Sequence, residues 1–182
     1  MEKKTWLDKY EIESFIGRNS GYYLEKWGNN RDKKIKGINI AALFFPAQWL
    51  GYRKLYTLFA LSYFAVGLMY FLNYGNFLLY ENHIINFLII KYPFYAFLLV
   101  KVLLGVYFAV FGNGMYRNNV LLFTQEHARF SSKDKYVEHL KKVGGTSIIT
   151  PVISVLIDAG ILLFLYFSMY EAMNYNAEFL SF

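Results

Sequence analysis

Two ionisable residues stand inside otherwise apolar stretches: Lys101 within PFYAFLLVKVLLGVYFAVFGN (93–113) and Asp158 within SIITPVISVLIDAGILLFLYFSMY (147–170). A charge at the centre of a membrane helix costs on the order of 2.5–3.5 kcal/mol on insertion scales. Two such residues in one small chain therefore look for each other. Lys101 lies twelve residues from Asn113, about 18 Å at helical rise. Asp158 lies eleven residues from Ser147, about 16 Å by the same rise. In antiparallel helices these are similar heights above one plane, so the spacing predicts an ion pair in the protein interior. Its chemistry is an ion or proton relay, or a substrate contact. The structural alternative is that it only sets helix register and orientation. In a further alternative Lys101 snorkels outward and the two never meet.

The neighbours of each charge support the pairing. Lys101, Gly105, Ala109 and Gly112 fall on one helical stripe. Small residues on a stripe let another helix approach closely. Ser147, Pro151, Ser154 and Asp158 form a second stripe, small and polar. The two stripes are expected to pack on each other.

Other reactive groups are sparse. His127 follows Glu126 and His139 follows Glu138, but on one helix the two histidines diverge by a third of a turn. His83, beside Glu81 and Asn82, reads as a solvated residue, so no metal site is expected. There is no cysteine, which excludes disulfides and thiolate sites. Ser62, Ser147 and Ser154 have no histidine nearby in the sequence, and no nucleophile elbow, phosphate-binding loop, dinucleotide fingerprint or zinc-protease motif occurs. The expectation is a protein with no catalytic residue and no cofactor.

The elements that carry the charged pair are hydrophobic spans. Of the 182 residues 56% are hydrophobic and 21% aromatic, more than a soluble domain can hide from water. Three spans are expected, at about 55–72, 93–113 and 147–170. Pro93 divides the second apolar stretch, leaving Ile84–Lys91 as an interfacial turn or as the start of one kinked helix. Pro151 sits in the first turns of the third span, where its missing N–H matters least.

Charge sets the topology. Residues 1–54 hold eleven lysines and arginines and residues 114–146 hold six, so seventeen of the nineteen fall on one side. The positive-inside rule then places the N-terminus in the cytoplasm and the C-terminus outside. The same placement accounts for the net charge of +6 without a nucleic-acid partner, for which no motif is present.

The fold class is thus all-α: a multi-pass bundle over 55–182, a cytoplasmic helical segment over 1–36, an interfacial segment over 37–54 and a cytoplasmic helical loop over 114–146. Trp6, Tyr10, Phe15 and Ile16 give the N-terminal segment an apolar face, Gly17 a stop, and Asn19 or Ser20 the cap of a helix over Tyr22–Trp27. Asn29–Lys36 is a polar, basic link. INIAALFFPAQWL (38–50) is apolar but too short to cross, and reads as lying in, or dipping into, the interface. Trp49, Tyr52 and Tyr56 are expected at headgroup depth as anchors, with Arg53 and Lys54 among the phosphates. In the loop, Ser131 with Asp134 resembles a capping box. The helix behind it is expected to bury Tyr136, Val137, Leu140 and Val143 and to end at Gly144 and Gly145.

Several strings resemble one family. Phe15–Trp27 (FIGRNSGYYLEKW), Asn39–Phe45 (NIAALFF), Trp49–Tyr56 (WLGYRKLY), Phe111–Tyr116 (FGNGMY) and Gly144–Ser147 (GGTS) are similar to bacterial membrane proteins of domain-of-unknown-function family 2628. Ile40 stands where that pattern has tryptophan, and Pro46 where it has glycine. The resemblance covers roughly residues 10–160. It implies a bacterial inner-membrane protein and no particular activity.

Function follows from what is missing as much as from what is present. A structured cytoplasmic face on a small bundle without catalytic groups suits a non-enzymatic subunit or anchor. Its partners would be the bilayer and another membrane or cytoplasmic protein, or further copies of itself. The alternative is an oligomeric transporter or channel unit whose path is lined by Lys101 and Asp158.

Overall fold

Pro46 cuts the apolar string 38–50. Proline has no N–H to donate and fits the first turn of a helix, so one helix ends before Phe45 and another starts after it. The computed structural model describes residues 9–27, 37–79, 93–124 and 130–179, and among them the regular elements are all helical. In chain order they are α1 (Lys9–Ile16), α2 (Ser20–Trp27), α3 (Ile40–Phe44), α4 (Pro46–Tyr52), α5 (Tyr56–Leu79), α6 (Pro93–Thr124), α7 (Lys133–Val143) and α8 (Ile149–Phe179). Trp6, the link 29–36, the turn 84–91, His83 and His127 lie outside the described residues.

The segment 37–54 does not lie flat. Asn39 caps α3, its side-chain oxygen accepting from Ala42 N at 3.1 Å. It is tied to α6 twice, its N–H donating to Ala109 O at 2.9 Å and its Nδ2 to Asn113 Oδ1 at 3.1 Å. From there α3 runs along α6 until the Leu43 carbonyl rests on Gly105. The chain turns at Phe45 and returns as α4, which lays the Trp49 ring on Gly112 and Gly51 on Thr150. Tyr52 O then accepts from Ser147 N at 3.0 Å. The pair α3–α4 is therefore a wedge inserted between α6 and α8, with its tip at the level of Lys101. Asn39 and Asn113 are both buried. Asn39→Ala removes the cap, worth about 1 kcal/mol, and leaves a buried Asn113 without its partner, a further 1–3 kcal/mol or so. The midpoint of thermal unfolding in detergent should fall by several degrees, and an unchanged midpoint would mean that the wedge is held some other way.

Around the polar end, α1, α2 and α7 form a cap. Gly17 and Asn19 adopt left-handed backbone between α1 and α2. Ser132, one residue beyond the expected Ser131, caps α7 by accepting from Lys135 N, and Gly144 closes it. Tyr136, Val137 and Leu140 are buried, with Val143 packed beside them. On α1 the buried face is Glu11, Ile12, Phe15 and Ile16, while Tyr10 is exposed, contrary to the face expected for it. Helix α6 continues past Asn113, the expected end of its span, and brings Tyr116 and Val120 under the cap. One core runs from Ile12 and Phe15 through Tyr23, Trp27 and Tyr116 to Trp49, Leu50 and Phe108. Each such side chain contributes roughly 1.5–3 kcal/mol by burial, so cap and wedge hold together as one unit.

The long helices meet again at the other end, where Val66, Phe97 and Leu165 form a small second core. Among the described residues two helices, α6 and α8, are long and apolar enough to cross a membrane, over Tyr95–Thr124 and Ile149–Phe167. The first expected span, 55–72, corresponds to a shorter described apolar run, Tyr56–Phe71. Outward faces stay apolar: Leu99, Leu103 and Val110 on α6, and Leu156, Leu163 and Phe164 on α8, are exposed.

Candidate functional site

The charged pair forms at the wedge tip. Lys101 Nζ lies 2.7 Å from both oxygens of Asp158, with each side chain less than one-fifth exposed. Two further donors complete the carboxylate. Gln48 Nε2, from α4, donates to Oδ2 at 2.9 Å. Tyr63 Oη, from α5, lies 3.1 Å from Oδ1 and 2.8 Å from Ser154 Oγ. The same hydroxyl lies 3.0 Å from the backbone oxygen of Ser154, so its one proton has two acceptors, that carbonyl and Asp158. A carboxylate offers about four acceptor positions; here two face Lys101, one accepts from Gln48, and the fourth shares the Tyr63 proton with the Ser154 carbonyl. The ammonium also faces the rings of Tyr63 and Phe97, each at 5.6 Å.

The chemistry of this arrangement is that of a closed cluster. Lys101 neutralises Asp158, Gln48 donates to it, and the hydroxyls of Tyr63 and Ser154 adjoin the pair. Four helices contribute to it: α4, α5, α6 and α8. Beside it is a cavity of about 510 Å³, bounded by the Phe44–Pro46 tip and by apolar side chains of α6 and α8, with Lys101 and Asp158 in its wall.

The small-residue stripes do not meet as expected. Gly105, Ala109 and Gly112 receive the wedge, not α8. Ser147 faces Tyr52 and Ser154 faces Tyr63, while Pro151 is half-buried near the start of α8. The reason is steric. A stripe without side chains admits whatever backbone can come nearest, and the short α3, with Leu43 O directed at Gly105, comes nearer than a whole span. Lys101 and Asp158 meet across the tip of what separates their helices.

The expected interfacial anchors also divide. Tyr56 is exposed and Tyr52 half-buried, but Trp49 and Arg53 are buried. The Arg53 guanidinium sits over Tyr23 at 4.6 Å, Tyr52 at 5.2 Å and Tyr116 at 5.3 Å. The wedge carries Trp49 and Arg53 beneath α2 and the extension of α6. Lys54, in left-handed backbone, donates to the carbonyls of Lys142 and Gly144, fixing the cap to the start of α5. Burial raises the Tyr23 phenol above its ordinary pKa despite the opposing charge of Arg53, so it remains a neutral hydroxyl.

Gln48 and Tyr63 fall in none of the strings that carry the family resemblance, while Asn39 and Gly51 fall in such strings without a role assigned to them. Gln48 has a signal in retrospect, as the sole side-chain amide inside LFFPAQWL. Tyr63 has none, being one of 17 tyrosines. Comparisons with protein-family models, with curated proteins and with solved structures find no match for this chain.

Proposed function

We propose that the chain is a three-span bacterial inner-membrane protein that works without catalysis, as a subunit or anchor binding another protein through a cytoplasmic face made of α1, α2 and α7. Its resemblance to domain-of-unknown-function family 2628 belongs to the same proposal. The observation that carries it is the closed cluster. The charges between the long helices neutralise each other, and Asp158 also accepts from Gln48 of the α3–α4 wedge, so the pair serves to hold the wedge. Helix α5 completes the spans in this reading, its 24 residues covering about 36 Å at helical rise. The exposed apolar faces of α6 and α8 lie in lipid, since so large an apolar surface is not left in water. The basic cap stays on the cytoplasmic side by the positive-inside rule.

The test is recovery of the tagged chain from its native membrane under gentle solubilisation, followed by mass spectrometry. The expected result is a stoichiometric partner that is lost when the exposed Lys135 and Lys141 of α7 are both changed to Glu. A lone monomer, or a partner indifferent to α7, would count against the reading. Reporter fusions at residues 114–146 that locate them outside the cell would remove its topology.

The cavity beside Lys101 and Asp158 favours a second reading, an oligomeric transport unit. Flux in proteoliposomes that is abolished by Asp158→Asn, in protein that still folds, would select it over the first.

A further inference from the structure

We propose that the cavity between α2 and the start of α3 is a binding site for a phosphate group, carried by a phospholipid headgroup or free in solution. The cavity holds about 610 Å³, and the described residues of its wall include Lys26 and Arg53 but no carboxylate. Arg53 is 5% exposed; its Nε and Nη1 have no hydrogen-bond partner and are sealed from the cavity, so it bears on the cavity as a charge and not through those two donors. Among the described residues no carboxylate pairs with it. Its neighbours are the rings of Tyr23, Tyr52 and Tyr116. Those rings attract a cation weakly, while a buried charge without a counter-ion is strongly unfavourable. Tyr23 does not supply the missing negative charge, because its phenol stays protonated.

An anion in the cavity would supply it. The uncompensated charge of Arg53 attracts the anion, and lysine adds a mobile point charge. Lys26 is free to move: its bond to Ile38 O is long at 3.5 Å, and its other contact is the Tyr22 ring at 4.7 Å. The rim bears on the source of the phosphate. Ile38 and Ile40 are exposed there, beside the point where Asn39 joins the wedge to α6. A headgroup seated against Lys26 and Arg53 would lay its acyl chains on these isoleucines. The site is separate from the Lys101–Asp158 cluster.

Binding is tested on the full chain in detergent micelles by native mass spectrometry and thermal stability, with phosphatidylglycerol, phosphatidylcholine and inorganic phosphate as probes. The wild-type chain should retain one phosphatidylglycerol, and Lys26→Gln at the cavity wall should weaken it about tenfold, ~1.4 kcal/mol. Arg53→Lys should weaken it further, but Lys26→Gln decides the matter even if that variant does not fold. Phosphatidylglycerol held against millimolar inorganic phosphate identifies a headgroup site, and displacement by inorganic phosphate identifies a small-anion site. Either supports the proposal. Retention of none of the three probes would overturn it, as would retention equal in wild type and Lys26→Gln.

Discussion

Lys101→Met is expected to lower the yield of monodisperse protein about tenfold and the thermal midpoint by roughly 10 °C. Removing one partner of a buried ion pair costs ~3–5 kcal/mol because the other charge is stranded, and about 1 kcal/mol moves the midpoint of a chain of this size by a few degrees. Here the stranded group is Asp158, left with Gln48 and Tyr63 as donors. The double variant Lys101→Met with Asp158→Asn should recover most of the loss, since it leaves no charge behind and the new amide oxygen still accepts from a neighbour. The exchange Lys101→Asp with Asp158→Lys should recover less, because Gln48 and Tyr63 were placed for a carboxylate on α8. A Lys101→Met protein as stable as wild type would show that the cluster does not hold the wedge. A folded double variant with unaltered partner binding fits an anchor, whereas one that folds but has lost a measurable flux fits a transport unit.

How much of this was legible in the sequence depends on how local each feature is. Helix ends were legible where one residue decides them: Gly17 after α1 and Gly144 after α7, whereas the break at Pro46 within 38–50 was not read. The depths of Lys101 and Asp158 were legible because helical rise converts residue counts to heights. What occupies the space between their helices was not. A stripe such as Gly105–Ala109–Gly112 announces that some backbone will come close, and its spacing is the same whether that backbone is a span or a short wedge. The string 38–50 was equally ambiguous, since its length excludes crossing but fits both a surface segment and an insertion. The surroundings of Arg53 were not legible either, because only the fold of residues far away, Tyr23 and Tyr116, puts rings over it.

Gly105→Ala should expel the wedge, the second large effect. A Cβ at Gly105 would lie 2.3 Å from the Leu43 carbonyl oxygen, well inside any tolerable contact, and the obstacle is backbone, which no side-chain rotation clears. Overpacking a core usually costs about 1–3 kcal/mol, but there a side chain can yield. Here α3 must move as a body. Moving it also breaks the two Asn39 bonds to α6 and draws Gln48 off Asp158. Gly67→Ala is the control, because a Cβ there meets nothing within 4 Å. Alanine is favoured over glycine inside a helix by roughly 0.5–1 kcal/mol, so that variant should be unchanged or slightly more stable. The absence of native cysteine allows a single reporter, Phe45→Cys, at the wedge tip. With the tip in hydrocarbon it should resist an aqueous maleimide, and adding Gly105→Ala should raise its labelling at least about tenfold, the ratio for ~1.4 kcal/mol between inserted and expelled states. If labelling stays low and the thermal midpoint matches that of Gly67→Ala, the close approach of Leu43 to Gly105 is not what seats the wedge, and the account of the α6 stripe falls with it.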